Sequence, residues 1–325
     1  MENIPHNRIL GVGEMTGKSW RALQPGDLVD VVAPGSAIDS QTVEQSLKVL
    51  KSWGLIPRFD EIQIQDHPFC SNSHEKRFQY LKKALYAKDS KAIWCLRGGY
   101  GSLHLIPALQ KLSKIPSNPK LLIGYSDISS LHLFLNQNWK WISLHAPLVE
   151  GLRPGRTELQ HIQELKYVLF GNEKEVVQDL TPMNAKALKM RWKKSQLVGG
   201  NLCTLQSHLG TTLHPRWKGK VVAFEDIGER GYRLDRMLEH FRQARAFDSC
   251  EAVIFGDFVG GQEKDGKDLS QLALKEFAER APCPVFQGLE MGHGIRNRPW
   301  FFGSRLEIIG GNQAQVIVQT GVVNP

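Results

Sequence analysis

The sequence predicts an α/β fold: an N-terminal Rossmann-like parallel-sheet domain and a smaller C-terminal α/β domain. Three observations carry this expectation. Short apolar runs alternate with stretches of helical periodicity from Asp27 onward, several of the runs end in glycine-containing turns, and strand-like runs resume after a breaker-rich stretch near mid-chain. With 325 residues, 41% of them hydrophobic, the chain can bury a full core, and its length suits two medium domains.

Residues 1–24 read as a poorly structured arm ending at the turn Pro25-Gly26. Within it, Gly11-Val12-Gly13-Glu14-Met15-Thr16-Gly17-Lys18-Ser19 invites a phosphate-binding P-loop reading, which the spacing defeats. That motif needs four residues between its first glycine and Gly-Lys-Ser, whereas Gly11 leaves five and Gly13 leaves three.

The first domain is expected over 25–150. Leu28–Ala33 reads as a strand and Pro34-Gly35-Ser36 as a turn, while Val43, Leu47, Leu50 and Trp53 form the stripe of a helix closed by Gly54. A strand near 56–59, a helix over 75–86 and the strand Ala92–Leu96 follow, then the loop Arg97-Gly98-Gly99-Tyr100-Gly101-Ser102 and a helix over 103–109. Next, Lys120-Leu121-Leu122-Ile123-Gly124 leads through Tyr125-Ser126-Asp127 into an amphipathic pattern at Leu131, Phe134 and Leu135. Residues 151–194, with Pro154-Gly155, Gly171-Asn172 and Thr181-Pro182 as breakers and a charged helix near 158–170, read as the crossover. The second domain, 195–325, is expected from the runs Val221–Phe224, Ala252–Phe255, Pro284–Phe286 and Gln315–Val318.

Composition narrows the partners. A net charge of +8 favours anionic ligands. The densest basic segment (Lys186, Lys189, Arg191, Lys193, Lys194) has only Trp192 among its aromatics, so it reads as a solvated linker or strand edge, with no nucleic acid expected as a partner. Five cysteines without a C-x-x-C pair indicate neither a disulfide framework nor a structural zinc site, and no metal or other cofactor is expected. No run reaches the roughly 18 to 20 apolar residues of a membrane span. The N-terminus lacks a signal-peptide pattern, so the chain is expected to be cytoplasmic and not membrane-bound.

The strand–turn–helix around Ser126 outlines a nucleophile elbow, although Ile128 stands where the strict G-x-S-x-G motif has its last glycine. Taken alone, Ser126 fits a helix N-cap better than a nucleophile. The Arg97–Ser102 loop lies where open α/β sheets bind ligands, and three readings stand: a phosphate cradle, an oxyanion wall beside the next strand's serine, or a tight turn. A serine nucleophile needs a base and a group that orients the base. Glu225 follows the apolar run Val221–Phe224, and His293 lies between Gly292 and Gly294 in a loop. The order Ser126, Glu225, His293 is that of α/β-hydrolase triads.

In sequence order, Arg97-Gly98-Gly99-Tyr100-Gly101, Gly124-Tyr125-Ser126-Asp127, Phe224-Glu225-Asp226, Tyr232-Arg233-Leu234-Asp235-Arg236-Met237-Leu238 and Gly292-His293 resemble the signatures of the LD-carboxypeptidase family of serine peptidases. This family spans murein tetrapeptide carboxypeptidases and microcin C immunity peptidases. Gly26-Asp27-Leu28, Ala33-Pro34-Gly35-Ser36, His145-Ala146-Pro147 and Val198-Gly199-Gly200-Asn201-Leu202 extend the resemblance, with Ala146 where the family usually has glycine. The resemblance implies Ser126 as nucleophile, His293 as general base and then acid, and Glu225 as its orienting carboxylate, and because Ser126 and the other two lie on opposite sides of the crossover, an active site at the interdomain cleft. It also implies an oxyanion hole from the backbone of Asp127 and of Gly98 or Gly99. The implied reaction is release of the terminal D-alanine from cytoplasmic murein tetrapeptides in peptidoglycan recycling, by a homodimer. Arg97, Tyr100, Arg230 and Arg233 are candidates for binding the substrate, the arginines through its carboxylate. Two alternatives remain: a microcin-type peptidase acting on aminoacyl nucleotides, with Trp192 and Trp217 as a possible aromatic pocket, and a non-catalytic binder of an anionic peptide or nucleotide.

Overall fold

The computed structural model describes residues 18–65 and 67–323. Its first unit is a six-stranded sheet with the order Trp300–Phe302, Ser143–His145, Leu121–Gly124, Ser90–Cys95, Leu28–Val32 and Ile56–Arg58. All neighbours are parallel except the first pair. Leu121, Leu122 and Ile123 are all fully buried, as expected for a parallel strand covered on both faces. Asp39 caps the helix Ser40–Ser52 by accepting from Thr42 N at 2.8 Å, and Ser73 caps His74–Tyr86. The chain leaves Leu28–Val32 first toward Ile56–Arg58 and then crosses to Ser90–Cys95 on its other side. This reversal of strand order opens a crevice at the carboxyl ends of the strands, where the loops after Val32 and Cys95 meet.

Buried Lys120 fixes the start of the serine-bearing strand. Its ammonium donates to the carbonyls of Ala84 and Ala87 at the end of the helix His74–Tyr86 and to Ser90 Oγ at 2.8 Å. Burial lowers its pKa to about 8.

The second unit is a closed barrel of seven strands: Ala252–Val259, Val285–Gln287, Glu175–Pro182, Ala314–Gln319, Arg305–Ile309, Lys193–Asn201 and Val221–Ile227. Lys193–Asn201, Val221–Ile227, Ala252–Val259 and Val285–Gln287 form its parallel half, and the remaining pairings are antiparallel. Closure leaves no open edge.

Three expectations change. Residues 151–194 are more than a crossover, because Glu175–Pro182 is a barrel strand paired with Ala314–Gln319 over six positions. Only Val176 and Leu180 of that strand are buried, and polar Gln178 between them on the same face, with apolar Val177 exposed on the other, disguises its alternation. The C-terminal part is not self-contained either: Trp300, Phe301 and Phe302, all fully buried, return to form the far edge of the first sheet. The described part of the N-terminal arm is core. Trp20, Ala22 and Leu23 are buried, the Trp20 ring stacks on Phe301 at 5.8 Å and its indole donates to Thr320 O at 2.8 Å. The glycines of the P-loop-like segment, Gly11 to Gly17, lie outside the described residues, and the Lys18 amide donates to Lys140 O.

Trp20→Ala is expected to lower unfolding free energy by about 3–5 kcal/mol, the range for deleting a buried aromatic side chain. Urea denaturation measures this, and a loss below about 1 kcal/mol would return Trp20 to a peripheral arm.

Candidate active site

The strand Leu121–Gly124 ends in extended Tyr125, and Ser126 then takes φ = +66°, a left-handed conformation that costs a non-glycine residue about 1–3 kcal/mol. A single 3₁₀ turn, Ser126–Ile128, leads into the helix Ser129–Phe134. The N-cap reading of Ser126 is overturned. The capping position of the turn falls on Tyr125, which makes no side-chain cap, and the Ser126 hydroxyl instead lies 3.0 Å from His293 Nε2.

The glycine loop packs directly against this turn. A methyl group on Gly98 would stand 3.0 Å from Ser126 Cβ, so only glycine lets the two backbones approach this closely. Ser36 N donates to Gly98 O at 2.8 Å, which turns the amide of the same trans peptide, that of Gly99, the opposite way. Tyr100 N donates to Ser36 Oγ. The Asp127 carboxylate accepts from Gly101 N at 3.1 Å and Ser102 N at 2.9 Å, while the Ser102 hydroxyl donates to the Asp127 carbonyl. Burial raises the Asp127 pKa, and these donors oppose the rise. Buried Arg77 completes the support by donating to Pro34 O, Asn72 O and Gly101 O.

The other half of the site comes from the barrel. Glu225 is fully buried near the end of Val221–Ile227, opposite Asn201. Asn201 links the two units: its amide donates to Ser129 Oγ at 2.8 Å, its Nδ2 to Asp226 Oδ1 at 2.9 Å, and its Oδ1 accepts from Thr204 N. Burial, with the neighbouring Glu225 charge adding to it, lifts Asp226 to about 7. Gly292, at φ = +138°, brings its chain so close that a Cβ there would stand 3.0 Å from Glu225 Cβ.

His293 follows, with Nδ1 2.7 Å from Glu225 Oε2. A carboxylate accepts, so Nδ1 carries the proton and Nε2 is left to accept from Ser126. Burial works against an imidazolium here, but Glu225, with Asp226 and Asp257 beyond it, outweighs burial and raises the His293 pKa above its ordinary value. The Tyr125 ring packs 4.7 Å from the imidazole. Hydroxyl, imidazole and carboxylate thus form one continuous chain able to move a proton from Ser126.

The proposed substrate-binding residues are dispersed. Arg97 donates to Ala37 O at 2.8 Å and lies 3.7 Å from Glu150. Half-exposed Tyr100 bonds His104 through its hydroxyl. Arg230 is paired with Glu263, and Arg233 with Glu229 and Tyr232. None of the four has a hydrogen bond to Ser126, His293 or Glu225 among the described residues. Trp217 is sealed in a cluster with Phe224, Phe241 and Phe247, and the Trp192 indole donates to Glu307. No cluster of three or more His, Cys, Asp or Glu among the described residues is arranged to hold a metal. Sequence reasoning missed the Asp127 carboxylate, Arg77 and the linking role of Asn201. The acid beside Ser126 and the Gly199-Gly200-Asn201 segment were visible signals, whereas nothing local marked Arg77.

Comparisons with known proteins identify the family of the chain. Residues 29–146 match the LD-carboxypeptidase N-terminal domain, and residues 194–308 match the LD-carboxypeptidase C-terminal domain. A Rickettsia conorii protein whose name assigns it provisionally as a carboxypeptidase is 35% identical, over 89% of this chain and 90% of its own. The murein tetrapeptide carboxypeptidase of Pseudomonas aeruginosa is 29% identical, over 88% of this chain and 94% of its own. Among solved structures, the muramoyltetrapeptide carboxypeptidase of Oxalobacter formigenes superposes with a TM-score of 0.73 at 22% identity, covering 90% of this chain and 98% of that one. The wild-type microcin C7 self-immunity protein does so with 0.78 at 18%, covering 94% and 99%. At these identities the structural likenesses establish the fold.

The His293 resonance in NMR titration is expected to move with a pKa above 6.5, and Glu225→Gln should lower it. The raised value has a matching stability signature. His293 adds to folded stability fully below its unfolded pKa, and the addition is lost as pH rises through the folded pKa. An unchanged His293 pKa in Glu225→Gln would contradict the assigned coupling.

Proposed function

The chain belongs to the LD-carboxypeptidase family, and we propose that its Ser126, His293 and Glu225 release the terminal D-alanine from murein tetrapeptides. The observation that carries this reading is the unbroken hydrogen-bonded chain Ser126 Oγ to His293 Nε2 at 3.0 Å and His293 Nδ1 to Glu225 Oε2 at 2.7 Å, on a serine turn at φ = +66°. A serine hydroxyl is a weak nucleophile unless a base takes its proton during attack.

In this reading, Ser126 Oγ attacks the carbonyl of the bond between an L-configured centre and the D-alanine as its proton passes to His293 Nε2. Glu225 holds the required tautomer and stabilises the imidazolium. The amide of Asp127, with that of Gly99 or Gly98, receives the negative charge on the tetrahedral oxygen. Each such donor is worth about 2.7–4 kcal/mol in the transition state. Collapse expels D-alanine as His293 returns the proton to its amine, and water then attacks the acyl-serine with the same imidazole as base. The Gly99 amide is the stronger candidate of the pair because Ser36 holds the Gly98 carbonyl on the opposite side of that peptide.

Arg97 and Tyr100, on the loop that packs against Ser126, suit substrate recognition better than Arg230 and Arg233, whose guanidinium groups are engaged by Glu263 and Glu229. We place the activity in peptidoglycan recycling in the cytoplasm, in a homodimer. The aminoacyl-nucleotide reading loses its aromatic pocket with Trp217 in the core and Trp192 held by Glu307. The non-catalytic reading conflicts with a direct serine–histidine hydrogen bond.

Ser126→Ala, His293→Ala and Glu225→Ala are each expected to keep the fold and to lose D-alanine release by on the order of 10⁴-fold or more, because triad members act as a unit. Mass spectrometry of a muropeptide panel, with an aminoacyl sulfamoyl adenosine alongside, reads both activity and substrate class. Release at near wild-type rate by Ser126→Ala would sink the mechanism, and cleavage of the nucleotide alone would reassign the substrate.

A further inference from the structure

The barrel strand Ala252–Val259 is irregular beside the candidate triad. Phe255 pairs in register with Phe224 and Phe258 with Asp226, so between these pairs Gly256 and Asp257 together stand opposite Glu225 alone. This is a β-bulge, which adds one residue to a strand and re-aims its side chains. Its effect follows from alternation. Phe224, Phe255 and Phe258 lie in one apolar core, with the Phe255 and Phe258 rings 5.7 Å apart. In an unbroken ladder Asp257 would share the face of Phe255 and enter that core. The extra residue keeps Phe258 inside and leaves Asp257 half-buried on the face of Glu225.

That face carries the His293 loop, which Asp257 meets on both sides of the histidine. Its backbone amide donates to Met291 O at 2.8 Å, and a methyl group on Gly294 would collide with its Oδ2. Between these points, a Cβ on Gly292 would stand 3.0 Å from Glu225 Cβ and 3.1 Å from Asp257 Cβ. Both acids therefore press on the chain immediately before His293. Gly256 belongs to the same device, since any side chain there would run into Met291 O.

Negative charge dominates what the imidazole faces from the barrel. Glu225 meets its Nδ1 at 2.7 Å, and Asp226 and Asp257 add their fields. Asp226 is committed to Asn201, Cys203 and Ile227. From the sheet, His293 faces the Ser126 hydroxyl and the Tyr125 ring, with His145 behind Tyr125, and burial favours the neutral forms of both Tyr125 and His145. Arg296, on the histidine's own loop, is engaged by Glu290 at 3.1 Å. Burial raises the Asp257 pKa, while the Arg296 charge and the Gly294 amide oppose the rise.

We propose that Asp257 is a positioning residue for His293: the bulge delivers its carboxylate to the histidine loop, where it holds the imidazole toward Ser126 and, together with Glu225, favours the imidazolium. The proposal rests on His293 acting as the base for Ser126, and its main tests need no murein peptide. Asp257→Asn keeps the shape of the side chain and removes its charge, whereas Asp257→Ala removes both. NMR titration of His293 and the pH dependence of Ser126 labelling by a fluorophosphonate are measured in each, beside D-alanine release. Asp257→Asn is expected to lower the His293 pKa by about 0.5 unit, less than Glu225→Gln does. Labelling should slow about fivefold, with its acid limb moved to lower pH, because a weaker base stays unprotonated further into acid. Asp257→Ala should slow labelling by on the order of tenfold or more. In D-alanine release both variants should lower kcat and leave KM within about twofold. Should Asp257→Ala fail to fold, the isosteric Asp257→Asn decides. An unchanged His293 pKa or unchanged labelling in Asp257→Asn would overturn the proposal, as would a raised KM at constant kcat, which would make Asp257 a substrate contact. Labelling of wild-type Ser126 without D-alanine release would overturn the substrate reading alone, whereas no labelling at Ser126 would remove both.

Discussion

The hydrogen bond from the Asn201 amide to Ser129 Oγ is the contact on which the site depends. Ser126 sits on the sheet, three residues before Ser129, and Glu225 sits on the barrel, paired in register with Asn201. Asn201 therefore ties the turn that carries Ser126 to the strand that carries Glu225. Because Asn201 also holds Asp226 and caps the helix Leu202–Gln206, its position is determined from three directions. The imidazole of His293 then has a gap of fixed width to span, and both of its nitrogens find partners at hydrogen-bonding distance. Preorganisation of this kind removes reorganisation from the chemical step.

Electrostatics reinforces the same arrangement. Glu225 is wholly buried, and among the described residues only its Oε2 finds a hydrogen-bond partner, His293. A carboxylate so placed gains most when the imidazole is positively charged, the state reached while the serine proton is in transit. Asp226, next in the chain, would compete for that role, but its two oxygens are occupied by Asn201, Cys203 and Ile227, and its burial favours the neutral form. Two adjacent acids thus have different duties, one electrostatic and one architectural.

The chemistry was more legible in the sequence than the architecture. Ser126, Glu225 and His293 each stand in a short pattern of strand end, glycine and turn, and such patterns need only local residues to be read. Ser126 alone pointed to a helix cap, and its true environment depends on His293, 167 residues away. Arg77 looked like any helical arginine, since what distinguishes it is the carbonyls of two distant loops, at Pro34 and Gly101, besides that of Asn72 just before its own helix. The barrel strand Glu175–Pro182 stayed hidden because only two of its residues enter the core, with Gln178 between them on the inward face and Val177 exposed on the outer one. Trp20 was hidden for a related reason: the strand it pairs with, Val322–Val323, lies at the far end of the chain.

The return of Trp300–Phe302 to the first sheet has a consequence for biosynthesis. Strands 28–145 leave the ribosome early, but their outer edge at Ser143–His145 stays unpaired until residue 302 has been made. His293 precedes that closing strand by only seven residues. His293, the proposed proton acceptor, and the last piece of sheet therefore emerge together, and a nascent or truncated chain that already displays Ser126 has neither. An enzyme assembled in this order stays silent until nearly its whole length has been translated. Early fragments that hold Ser126 lack the base that the proposed reaction requires.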